Sequence, residues 1–70
     1  MKISARNVLS GKVTAIVRGP VTTEVTLEVA PGVQITSTIT STSAQNLNLQ
    51  EGAKVYGVIK ASSVMIATDD

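Results

Sequence analysis

Neither cysteine nor histidine occurs in the 70 residues, Phe and Trp are absent, and Tyr56 is the only aromatic residue. Without Cys no disulfide can staple the fold, and without Cys or His there is no zinc site of the ordinary kind. The same gap removes the usual general bases and nucleophiles, so the composition speaks against an enzyme. Charge is sparse too. Six Lys and Arg against five Asp and Glu leave a formal net charge of +1, which gives no general attraction for nucleic acid or an anionic membrane. Any anion must be held locally. No apolar run is long enough to cross a bilayer, and the opening Lys2-Ile3-Ser4-Ala5-Arg6 does not read as a signal peptide. The expected compartment is the cytoplasm.

A chain of this length forms one domain at most, 1–70, and buries only roughly 60% of the surface its unfolded form exposes. With disulfides and zinc excluded, association with copies of itself is the remaining way to stabilise so small a core.

What the chain has is Val, Ile and Thr, the residues of strands. Val21, Thr23, Val25, Leu27 and Val29 share one parity and Thr22, Glu24, Thr26 and Glu28 the other, which predicts a half-buried strand. Val13, Ala15 and Val17 alternate ahead of it, and Arg18-Gly19-Pro20 would turn the chain between two antiparallel neighbours. Pro31-Gly32 suits a type II turn into a third strand, with Val33, Ile35, Ser37 and Ile39 on one side. Alternation then stops. Over residues 40–49 the spacing of Thr42 and Gln45 matches a capping box and predicts a short helix, with Leu47 and Leu49 anchoring its end. A fourth strand follows at 54–60 and a short fifth at Val64–Ala67, before the acidic Asp69-Asp70 tail, which is expected to fray. The expected fold is all-β, a small five-stranded barrel of the oligonucleotide/oligosaccharide-binding type, with one helix before the fourth main strand.

Hydroxyls are plentiful where carboxylates are not. Glu24 and Glu28 belong to a solvated strand face. Thr40 and Ser43 gather where the third strand passes into the helix, whose start offers unpaired backbone N–H groups. Arg6 and Lys60 sit at segment ends beside Ser4, Ala5, Ala61 and Ser62, small residues that let a ligand approach the backbone. The set is all donors, and it suits a compact, fully deprotonated oxyanion; phosphate, which keeps a proton at neutral pH, would want an acceptor. Gly19, Val21 and Thr22 form a weaker second candidate, a turn whose backbone N–H groups could meet at a symmetry axis.

The segments "ISARN", "ITSTSAQNLNLQEGAKV" and "VIKASSVMIA" resemble the molbindins, small molybdate-binding proteins whose domain also occurs in molybdate-responsive regulators and transporter ATPases. The resemblance runs nearly the whole chain. It implies strand-swapped dimers assembled into a homohexamer that stores or buffers molybdate, with tungstate as co-ligand and no organic cofactor. It also implies that the oxyanion lies between subunits, held by Ser4, Ala5 and Arg6, by Thr40 and Ser43, and by Lys60, Ala61 and Ser62. Some relatives carry Arg where this chain has Asn46, and Pro20 has no N–H to offer the second site. Two other functions fit the fold class. One is a single-stranded nucleic-acid module, which a lone Tyr and near-neutral charge disfavour; the other is a regulatory anion-sensing domain, disfavoured because no output domain is attached.

Overall fold

In a computed structural model, described over residues 1–69, the chain forms four strands and one helix: β1 (Asn7–Arg18), β2 (Thr22–Ala30), β3 (Val33–Thr40), α1 (Ser41–Asn46) and β4 (Lys54–Ile59). All neighbours are antiparallel and the sheet order is β3-β2-β1-β4. The all-β fold with a short helix before the fourth strand is as expected. A fifth strand is not formed: Val64–Ala67 pairs with nothing, and a 3-10 turn, Ala61–Ser63, precedes it. Asp70 of the expected tail lies outside the described residues.

The sheet curls around a small interior. Val13, Val25 and Leu27 form the buried cluster, with Ile16, Val29, Ile39, Leu49, Ala53 and Val55 packed against it. Curling brings the two edges towards each other, as position 57 shows: a Cβ there would meet Leu27 Cδ1 at 3.0 Å and Ile35 Cδ1 of β3 at 3.9 Å. Gly57 thus leaves room for β2 and β3 side chains inside the curl. Gly32, at φ 76°, takes the left-handed conformation that the Pro31-Gly32 turn demands.

The alternation expected for β1 holds only to its middle. The register against β2 shifts between Val13 and Ala15, a bulge at Thr14, and beyond it the pattern inverts. Ile16 faces in, whereas Ala15 and Val17 are exposed. One extra residue in a ladder of period two reverses every later side chain.

The helix begins two residues earlier than the capping-box spacing predicts. Thr40, not Thr42, is the N-cap, and its Oγ1 accepts from the Ser43 backbone N–H at 3.1 Å. Thr40 still has extended backbone (ψ 147°), so the last residue of β3 doubles as the cap. At the other end Asn48 adopts φ 52°, and the Leu49 and Asn48 N–H groups donate to the Ala44 and Gln45 carbonyls. This closure turns Leu49 onto the core and leaves Leu47 66% exposed, so only one of the two expected leucine anchors is used.

Candidate functional site

β1 and β4 pair from Lys12–Lys54 to Asn7–Ile59. One further step of that register would set Arg6 opposite Lys60, then Ala5 opposite Ala61 and Ser4 opposite Ser62. The ladder stops before any of these. Lys60 keeps extended backbone, and the Ser63 N–H then closes onto the Lys60 carbonyl at 2.8 Å, which bends the chain away. Two cations facing each other across a rung repel, so this is where a ladder should unzip.

The two arms of the fork enclose an open cavity of about 680 Å³, lined by Ile3, Ser4, Ala5, Arg6, Val58, Lys60, Ala61 and Ser62. Six of these are residues the sequence put forward, brought together from opposite ends of the chain. Ile3 and Val58 were not anticipated, and nothing in their local pattern sets them apart from strand filler. The lining offers a guanidinium, an ammonium and two hydroxyls, and no carboxylate. It can hold an anion that needs donors only. The cavity is far larger than a four-oxygen anion, and one chain leaves it open on a side.

Thr40 and Ser43 do not join this cavity. They lie at the other pole of the molecule, where Thr40 pairs with Thr22 and Arg18 pairs with Thr23. The full run of β1, roughly 35 Å at strand rise, separates the poles of a molecule 39 Å long. Thr40 Oγ1 donates to Ser43 Oγ at 2.8 Å while accepting from the Ser43 N–H, so of this pair the Ser43 hydroxyl proton is the one left to give.

The second candidate lies at the same pole as Thr40. Ser41 Oγ donates to the Gly19 carbonyl at 2.6 Å and the Ser41 N–H to the Val21 carbonyl at 2.8 Å. Thr23, only 1% exposed, is 2.8 Å from Ser41 Oγ. Because the Ser41 proton is committed to Gly19, Thr23 is the donor in that bond. Gly19 and Val21 are therefore tied to the start of α1, and Thr22 pairs with its cap, Thr40. Arg18 donates to the Leu49 carbonyl at 2.8 Å and braces the far end of the helix.

Among the described residues no three His, Cys, Asp or Glu side chains come together as a cation site, and no helix is long and apolar enough to cross a membrane.

A TOBE domain is recognised over residues 3–66. The chain is 50% identical to molybdenum-pterin-binding protein 1 of Clostridium pasteurianum over 66 residues, 94% of this chain and 97% of that protein. Its fold superimposes on a molybdate-binding protein from Sporomusa ovata with a TM-score of 0.90 at 34% identity, covering 97% of this chain and all of the other. The cytoplasmic molybdate-binding protein ModG, in a molybdate-bound crystal form, matches with a TM-score of 0.82 at 43% identity over 87% of this chain and 43% of its own. A whole-length match of this kind, together with the donor-lined fork, places the chain in a family: it belongs to the TOBE domain family, among its small molybdenum-pterin-binding members, the molbindins.

Proposed function

We propose that residues 1–70 act as a single oxyanion-binding domain that holds molybdate, and tungstate with it, between copies of the chain. Arg6 and Lys60 supply charge-assisted hydrogen bonds, and Ser4 and Ser62 supply neutral donors beside Ala5 and Ala61, whose small side chains leave the backbone within reach. Thr40 and Ser43 of a second copy close the open side. The observation that carries this is the fork: six donor-bearing or small residues from the two chain ends line one cavity with no carboxylate among them. The relatives named for molybdenum-pterin or molybdate binding support the choice of anion.

The distance between the poles supports the intersubunit arrangement, since one chain does not bring Thr40 to Arg6. Assembly has a second support. Val64, Met65 and Ile66 follow the fork as exposed, unpaired apolar residues, at 92% and 86% exposure for the last two. Meanwhile an apolar groove of about 450 Å³ runs between the edge strands β3 and β4, lined by Ile39, Leu49, Val55 and Val58 among others. Residues 64–67 of a partner fill that groove as the fifth strand, giving swapped dimers that build a homohexamer. The protein binds its ligand rather than transforming it, and its setting is the cytoplasm, as described for ModG. At Gly19, Val21 and Thr22 a plain hairpin turn is the better-supported reading, and a second anion site at a symmetry axis is the weaker alternative.

Titration calorimetry with molybdate, then sulfate and phosphate, tests this when solution mass is measured alongside. Tight molybdate binding to a hexamer that ignores phosphate is the expected result. A chain that binds no oxyanion, or binds molybdate as a monomer, refutes the shared site.

A further inference from the structure

Asn7 is not among the proposed oxyanion donors, yet it sits at the root of the fork. Along β1, positions 7, 9, 11 and 13 share the face that ends in buried Val13. An apolar side chain would suit position 7, as it suits Ile59 across from it. The residue is Asn instead, half-buried, and its Nδ2 donates to the Ile59 carbonyl at 3.3 Å. Ile59 is one residue before Lys60, and Asn7 one residue after Arg6. The amide therefore ties the two segments together at the rung where they part.

Charge explains the need for a tie. Arg6 and Lys60 flank the same terminal rung on opposite strands, so like charge works against closing it whenever no anion lies between them. A terminal rung has a neighbour on one side only and opens at the low end of local stability. An anion that needs both cations must first close it again, and the fraction of molecules left open comes directly off the affinity.

We propose that Asn7 is a positioning residue that pins the fork, holding β1 to β4 at Ile59 so that Arg6 and Lys60 stay within reach of one oxyanion. The inference rests on the oxyanion reading for its ligand, although the clamp itself is measurable in the anion-free protein.

The test uses the full chain carrying Asn7→Leu, Asn7→Gln, which retains an amide, and Gln34→Leu as a control at an exposed position of β3. Amide hydrogen exchange of Ile59, at the last rung of the ladder, is followed without anion at low and high NaCl, and molybdate is then titrated. In Asn7→Leu this amide exchanges faster, most of all at low salt where the repulsion is least screened, and adding Lys60→Met slows it again. Molybdate binds that single variant about fivefold more weakly, the worth of one ordinary hydrogen bond. Asn7→Gln recovers most of both effects and Gln34→Leu shows neither. Unchanged exchange in Asn7→Leu, or faster exchange that neither salt nor Lys60→Met relieves, overturns the clamp. Salt-sensitive exchange in a protein whose unsubstituted form ignores molybdate upholds the clamp and overturns the ligand.

Discussion

Removing the Ser41 hydroxyl should cost more than removing it together with its buried neighbour. Ser41→Ala deletes two bonds, one donated to the Gly19 carbonyl and one accepted from Thr23. Losing the first costs about 1 kcal/mol, and stranding the Thr23 hydroxyl, which is 1% exposed, adds about 2 kcal/mol for a buried polar group without a partner. The single variant should therefore lose about 3 kcal/mol. Thr23→Val keeps the side-chain shape and leaves Ser41 bonded to Gly19, so it should cost about 1 kcal/mol or less. In the double variant no hydroxyl is stranded, and the loss should fall back to about 1.5 kcal/mol, below that of Ser41→Ala alone. Urea unfolding followed by far-ultraviolet circular dichroism measures all four proteins, at one fixed chain concentration because assembly contributes to stability. Additive losses, with the double variant near 4 kcal/mol, would refute the assignment of Thr23 as a buried donor.

Three further outcomes are expected. Lys60→Ala should weaken molybdate binding by about 10- to 100-fold, the range for a charged hydrogen bond, and Lys12→Ala by far less; equal losses in a titration would remove Lys60 from the site. Asn48 holds a positive φ at the helix end, so Asn48→Gly should leave stability unchanged or slightly raised, while Asn48→Ala should lower it by about 1 kcal/mol in the same unfolding assay. Ile66→Asp places a charge on the segment proposed to cross to a partner and should shift the mass in sedimentation to that of smaller species, whereas a full-size assembly would rule out residues 64–67 as the swapped strand.

The strands with a clean alternation were legible because one buried face imposes a period of two, as Thr23, Val25 and Leu27 show in β2. The bulge at Thr14 was not, since the residues after it still alternate and only the partner's register reveals the slip. Thr40 escaped notice as the cap because it also continues the strand pattern of Ile39 and Thr38, and a residue shared by two elements carries two signals. Val64–Ala67 reads as a strand by composition, but a strand needs a neighbour, and within one chain it pairs with neither edge strand, β3 nor β4. At the site, the small and basic residues near both chain ends were legible from their types and the absence of acids. Their meeting depends on the antiparallel pairing of β1 with β4, which brings residue 7 beside residue 59 across 52 positions.

The separation of the two donor groups along β1 also governs how copies can count their ligands. If every site takes Arg6 from one chain and Thr40 from another, each chain carries one half-site of each kind, like a link with a hook and an eye. An open string of links always has one hook and one eye unused, so it completes one site fewer than it has members. Only an arrangement that closes on itself uses every half. Each anion bound then favours closed assemblies over open ones, and a ratio of one anion per chain at this site becomes a measure of closure as well as of capacity.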